Sequence, residues 1–174
     1  MNKKGLTIIE LLAALIIFGL VASLVGLLIS TFKNASSSIN EEGKANIEAT
    51  LLIENVRTEL NEFNPTNYSE CGSENCIILE KHFAYTYSDE NNGIILDLYD
   101  PPLEYRLEYI NPNLLLDGNI YEPDYFTLGD DFSINYIIGV NNTVTIHLDF
   151  TLVKDENSYE FSMSYTFEIE TIPE

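Results

Sequence analysis

Basic side chains are scarce in this chain. Eight Lys or Arg stand against 28 Asp or Glu, a net charge of −20, and such a balance argues against nucleic acid or anionic lipid as a direct partner. Histidine occurs only as His82 and His147. His147 falls on the polar side of an alternating segment, where a surface role is expected and not a catalytic base. There is no Gly-rich phosphate loop, paired metal motif or nucleophile elbow, so the expectation is a protein that is not an enzyme and carries no cofactor. No proline lies in the apolar N-terminal stretch, and only two cysteines occur in 174 residues.

Apolar content is ample: 45% hydrophobic and 11% aromatic residues can furnish a core and exclude a disordered chain. From Leu11 to Ile29 there is no charge, and only Gly19, Ser23 and Gly26 dilute the Leu, Ile, Val, Ala and Phe. As a helix this run reaches about 28 Å, against roughly 30 Å of bilayer hydrocarbon, so it spans a membrane once. Lys3 and Lys4 precede it, which keeps the N-terminus cytoplasmic and exports the chain beyond residue 30. From Phe63 onward 21 acidic residues face only Lys81, Arg106 and Lys154, leaving −18 in an extracytoplasmic body. Cys71 and Cys76 bracket "CGSENC" there, and a disulfide is the expected state. It would contribute on the order of 2 kcal/mol as a local staple. Two reduced thiols, or half of a metal site that His82 alone does not complete, are the alternatives.

One residue disturbs the apolar stretch. Glu10 sits at its start, where a secretory signal would carry no acid and a shorter run, and a membrane-embedded carboxylate costs about 2.5 to 3.5 kcal/mol at the bilayer centre. "KKGLTIIELLAALIIF" resembles the N-terminus of type IV pilins and type II secretion pseudopilins: a short basic leader ending in Gly, then a Phe-Thr-Leu-Ile-Glu-like start to a long apolar helix. Gly5 matches the last leader residue, Leu6 the new N-terminus, Thr7 the second mature position, and Glu10 the acid at the fifth. Leu6 departs from the Phe usual there. The resemblance implies that prepilin peptidase, a membrane aspartyl peptidase, cuts after Gly5 and N-methylates Leu6. It further implies that Glu10 pairs with the α-amine of a neighbouring subunit in a filament, a buried pairing that would read register between helices. A plain anchor whose Glu10 snorkels to the cytoplasmic interface is the alternative.

Beyond the span, Phe32, Ala35, Ile39, Ala49, Leu52 or Ile53, Val56, Leu60 and Phe63 recur at three- and four-residue steps, an amphipathic continuation ended by Asn64-Pro65. Unbroken from Leu6, the helix would extend roughly 87 Å. "NASSS" and Gly43 predict a bend or loosening over residues 34–43. After Cys76 the period changes to two. Leu103 to Tyr109, Phe132 to Ile138, Val144 to Leu152 and Tyr159 to Ile169 alternate, with hairpins at Asn92-Gly93 and "KDENS". The expectation is an α+β fold of type IV pilin-like kind, in which the second half of the helix covers the buried face of an antiparallel sheet. The boundaries are 1–5 leader, 6–30 membrane and filament-core helix, 31–64 amphipathic continuation and 65–174 sheet head. Within the family the pattern looks more like minor pilins and pseudopilins of the J, PilW and competence F kinds than like a major subunit.

No metal is expected. Asp89 and Asn91 in "SDENNG", with Asp130 and Asp131 in "LGDD", faintly resemble a calcium loop but lack the remaining spaced ligands, and solvated turns are the reading. Of 11 tyrosines, most sit at alternating strand positions and read as half-buried sheet residues; Tyr121 and Tyr125, in a Pro-interrupted segment, read as loop residues open to a partner. The resemblance implies a structural subunit assembling with other pilins or pseudopilins into a type IV pilus, type II secretion or competence pseudopilus, after storage in the cell membrane. The alternative is an uncleaved, membrane-anchored extracytoplasmic binding module.

Overall fold

The computed structural model describes residues 8–88 and 93–171, and the chain divides between Gly43 and Lys44 into two compact units. The first unit is helical: α1 (Ile8–Phe63) starts in it, and every described side chain up to Asn40 is exposed. The loosening predicted over 34–43 is not found, since the backbone stays helical throughout. Ser, Asn and Gly cost at most about 1 kcal/mol each relative to Ala, and each residue added to an existing helix gains a hydrogen bond. A short run of weak formers is therefore carried along.

In the second unit α1 contributes Ala45, Ala49, Leu52, Val56 and Leu60, all buried and spaced by four, three, four and four. Phe32 and Ile39, read from the sequence as part of the same stripe, are 77% and 70% exposed and lie outside this core. The compact unit begins at Lys44, so the end of α1 and the strands that follow belong to one unit. The helix ends where Asn64 adopts φ 51° and donates its N–H to the Leu60 carbonyl at 2.9 Å, the left-handed closure that Asn tolerates.

Two antiparallel sheets come next, where the sequence pattern suggests one. β1 (Asn67–Glu70), β2 (Cys76–Ser88), β3 (Gly93–Ile110), β4 (Asn113–Leu116) and β5 (Asn119–Tyr121) pair in chain order. In the second sheet β8 (Thr143–Lys154) is central. β9 (Asn157–Glu168) pairs along its whole length, while β7 (Ser133–Ile138) and β6 (Thr127–Leu128) share its other edge. The predicted alternation holds best here: Val144, Ile146, Leu148, Phe150 and Leu152 are all buried. Asp155 at φ 53° makes the two-residue turn that registers Lys154 against Asn157.

β3 runs through Pro101 and Pro102, although the sequence pattern treats its two halves as separate strands. The register explains how. Lys81 faces Leu103 and Phe83 faces Leu98, so residues 99–102 bulge opposite His82 alone, and the prolines sit where the ladder needs no donor. Between the sheets, Tyr109 stacks on Phe132 with ring centroids 4.4 Å apart and donates its hydroxyl to the Gly129 carbonyl at 2.7 Å. A Cβ on Gly129 would collide with Thr151 Oγ1, so the close approach of that corner to β8 requires glycine.

Candidate functional site

Glu10 lies in the first turn of α1 and is exposed. Negative charge there is favoured by the positive end of the helix dipole. Gly5, Leu6 and Thr7, expected to carry processing and the second mature position, lie outside the described residues, as do Asp89 and Asn91. Downstream of Glu10 the helix is apolar on all sides, with a mean hydropathy of 2.8 over an 18-residue window of which nothing is buried. Its polar side chains are satisfied within the helix: Ser23 Oγ donates to the Leu20 carbonyl and Thr31 Oγ1 to the Leu27 carbonyl, each at 2.9 Å. A helix that closes its own hydrogen bonds and exposes only hydrocarbon is suited to lipid, or to a sheath of like helices. It is a candidate membrane anchor.

On the head, Cys71 and Cys76 are joined by a disulfide with Cα atoms 5.6 Å apart, closing the turn between β1 and β2. Asn75 inside that loop, at φ 56°, accepts the Tyr109 N–H on its carbonyl at 2.9 Å and the Ile134 N–H on its side chain at 3.3 Å. The stapled turn thus ties β3 of one sheet to β7 of the other. Nearby, Tyr136 donates to Glu70, which pushes the phenol up to about 12. Burial raises the Glu80 carboxyl, but hydrogen bonds to Ser69 and His82 and the His82 charge outweigh it and leave Glu80 below its ordinary value.

Glu48 is inconspicuous in the sequence because its neighbours Glu41, Glu42 and Glu54 make it one acid among many. It is 94% buried by area, 6% remaining exposed. Oε1 accepts the Tyr125 N–H at 2.8 Å, and among the described residues Oε2 has no hydrogen-bond partner. Lys44, one turn earlier, sets its ammonium 5.3 Å from the centre of the Tyr125 ring. Tyr125 lies in a loop, as expected, and is 61% exposed, but its backbone N–H is held on α1 through Glu48; Tyr121 instead ends β5 half-buried. The legible signal is position: Glu48 falls between Ala45, Ala49 and Leu52 on the buried stripe.

The acidic candidates hold structure together. Asp130 accepts from Asn111 Nδ2 at 2.8 Å, and Asp131 accepts the Thr151 hydroxyl. Among the described residues no three His, Cys, Asp or Glu gather as a metal site. His147 Nδ1 and Ser164 Oγ lie 2.8 Å apart as a cross-strand pair on the outer face of β8 and β9. His82 Nε2 lies 3.0 Å from Glu80. The reading of the tyrosines as half-buried fails at Tyr85 and Tyr87, which are 60% and 63% exposed. No protein-family model, curated protein or solved structure matches the chain.

Proposed function

We propose that the chain is a structural subunit of the type IV pilin and pseudopilin kind, cut after Gly5, N-methylated at Leu6, held in the membrane by α1 with the head outside, and then packed with other such subunits into a thin filament. The observation that carries this reading is the motif Lys3-Lys4-Gly5-Leu6-Thr7-Ile8-Ile9-Glu10 running directly into a helix whose first part is exposed hydrocarbon and whose end packs on antiparallel strands. Cleavage would create one α-amine at the end of each apolar helix. Glu10 is the carboxylate placed to receive that charge from a neighbour, because two opposite charges taken out of water together cost less than either alone. A chain set out of register would bury one without the other.

In this reading the protein is a peptidase substrate and an assembly part and not an enzyme. The acidic head forms the outside of the filament, and its charge disfavours direct nucleic-acid capture. Glu10→Val tests the register role. Membrane levels should stay near wild type, since removing a carboxylate makes insertion easier, while recovery in sheared filaments or pseudopili should drop severely. Normal incorporation of Glu10→Val would refute the pairing.

A further inference from the structure

Three stretches of the chain match Asn-x-Ser/Thr with x not proline, the acceptor pattern for N-linked sugar: Asn34-Ala35-Ser36, Asn67-Tyr68-Ser69 and Asn141-Asn142-Thr143. A pattern so short recurs by chance, so the fold must say which copy is usable. Transfer needs a free amide and, two residues on, a hydroxyl that the same enzyme can reach. Asn34 fails on geometry: it lies inside α1, where residues two apart point about 200° from one another and share no face. Asn67 fails on engagement. It is half-buried in β1 with Nδ2 3.5 Å from His82 Nε2, and the Ser69 side chain hydrogen-bonds to Glu80.

Asn141 meets both conditions. It sits in the turn between β7 and β8, which is tied at each end: the Gly139 N–H donates to the Thr143 carbonyl at 2.7 Å, and the Ile169 N–H to the Asn142 carbonyl at 2.6 Å. Between those ties Val140 and Asn141 are exposed, and Thr143 is partly so. Among the described residues no hydrogen bond engages the Asn141 amide or the Thr143 hydroxyl. The surroundings add a second observation, since Val140 is 95% exposed and Ile137 and Ile138 are 59% and 60% exposed. A bulky, solubilising group on the neighbouring residue would shade this apolar tip.

We propose that Asn141 carries an N-linked oligosaccharide. The inference rests on the reading that the head is exported, the setting in which this pattern serves as an acceptor. The donor it requires is an oligosaccharide joined through its C1 to a polyprenyl pyrophosphate and presented by a membrane transferase. Asn141 Nδ2 bonds to that C1, the C1–O bond to pyrophosphate breaks, and the lipid pyrophosphate leaves with the bonding electrons. The proton released from Nδ2 passes to a base on the transferase.

The test is peptide mass spectrometry of the protein recovered from its own membranes, with protease added on the outer side of the cell membrane as a separate report of export. The peptide containing Asn141 should carry an added mass equal to a set of sugar residues, placed on Asn141 by fragmentation, while the Asn34 and Asn67 peptides carry none. Asn141→Gln and Thr143→Ala should each remove that mass, and Thr143→Ser should keep it. A bare Asn141 in a head that the outside protease digests would overturn the inference and leave export standing. A head protected until detergent is added would overturn both. Sugar at Asn34 or Asn67 instead, or an added mass that survives Thr143→Ala, would also overturn it.

Discussion

Leu20 and Leu52 belong to one helix, yet Leu20 is 64% exposed and Leu52 is fully buried. Up to Asn40 α1 exposes every described side chain; from Ala45 to Leu60 it turns one stripe into the strands and exposes the rest. Both halves contain Leu, Ile, Val and Ala, so the presence of apolar residues does not by itself separate them. The difference lies in how charge interrupts that hydrocarbon. The first half has none between Glu10 and Lys33, whereas the second carries Lys44, Glu48, Glu54, Arg57, Glu59 and Glu62. A helix apolar on all sides needs a solvent of hydrocarbon, while a striped one needs only a partner on one side. One element thus carries two surface patterns, each suited to a different surrounding.

The largest break in that contrast should come from truncating the buried stripe. Leu52→Ala should cost the head about 2–5 kcal/mol, as other large-to-small core changes do, while Leu20→Ala should leave head unfolding in detergent unchanged. Next comes the staple. Cys71→Ser, or reduction of the wild type, should cost on the order of 2 kcal/mol and loosen the link between β3 and β7. Glu48→Ala strands the Tyr125 N–H and should cost about 1–3 kcal/mol, with faster proteolysis around residues 122–126. Glu48→Gln keeps an acceptor there and should restore most of that loss.

Proton linkage should be the smallest effect, confined to the head. A carboxyl held below its ordinary value stabilises above the unfolded pKa, 4.5 for Glu80, and that stability is lost as pH falls through the lower folded value. Glu80→Gln should therefore flatten part of the acid decline below pH 4.5. Tyr136 runs the other way. Its phenol is raised from 10.0 to about 12, so its contribution is complete below 10.0 and fades as pH climbs toward 12. In a spectrophotometric titration, Tyr136→Phe should remove one late-titrating phenol.

Much of this fold is legible in the sequence because periodicity reports which face of an element is apolar. The Val144 to Leu152 alternation and the Ala49 to Leu60 stripe need nothing else. Pairing partners are a different kind of information, set by contacts far apart in sequence, which is why the pattern suggests one sheet and two are found. Pro101-Pro102 looks like a boundary because the bulge that admits it is created by the partner strand. Glu48 is hidden among the other acids, and Tyr85 and Tyr87 alternate as core residues do while remaining mostly exposed. The apolar run that makes α1 a candidate membrane anchor is readable outright.

The intact mass and N-terminal sequence of the protein recovered from membranes of a host with a prepilin peptidase bear most directly on the proposed assembly role. A chain beginning at Leu6 and carrying one added methyl group is the predicted result, and it would provide the α-amine that Glu10 is proposed to meet. A chain still beginning at Met1 would contradict the account and leave α1 a plain anchor beneath the head.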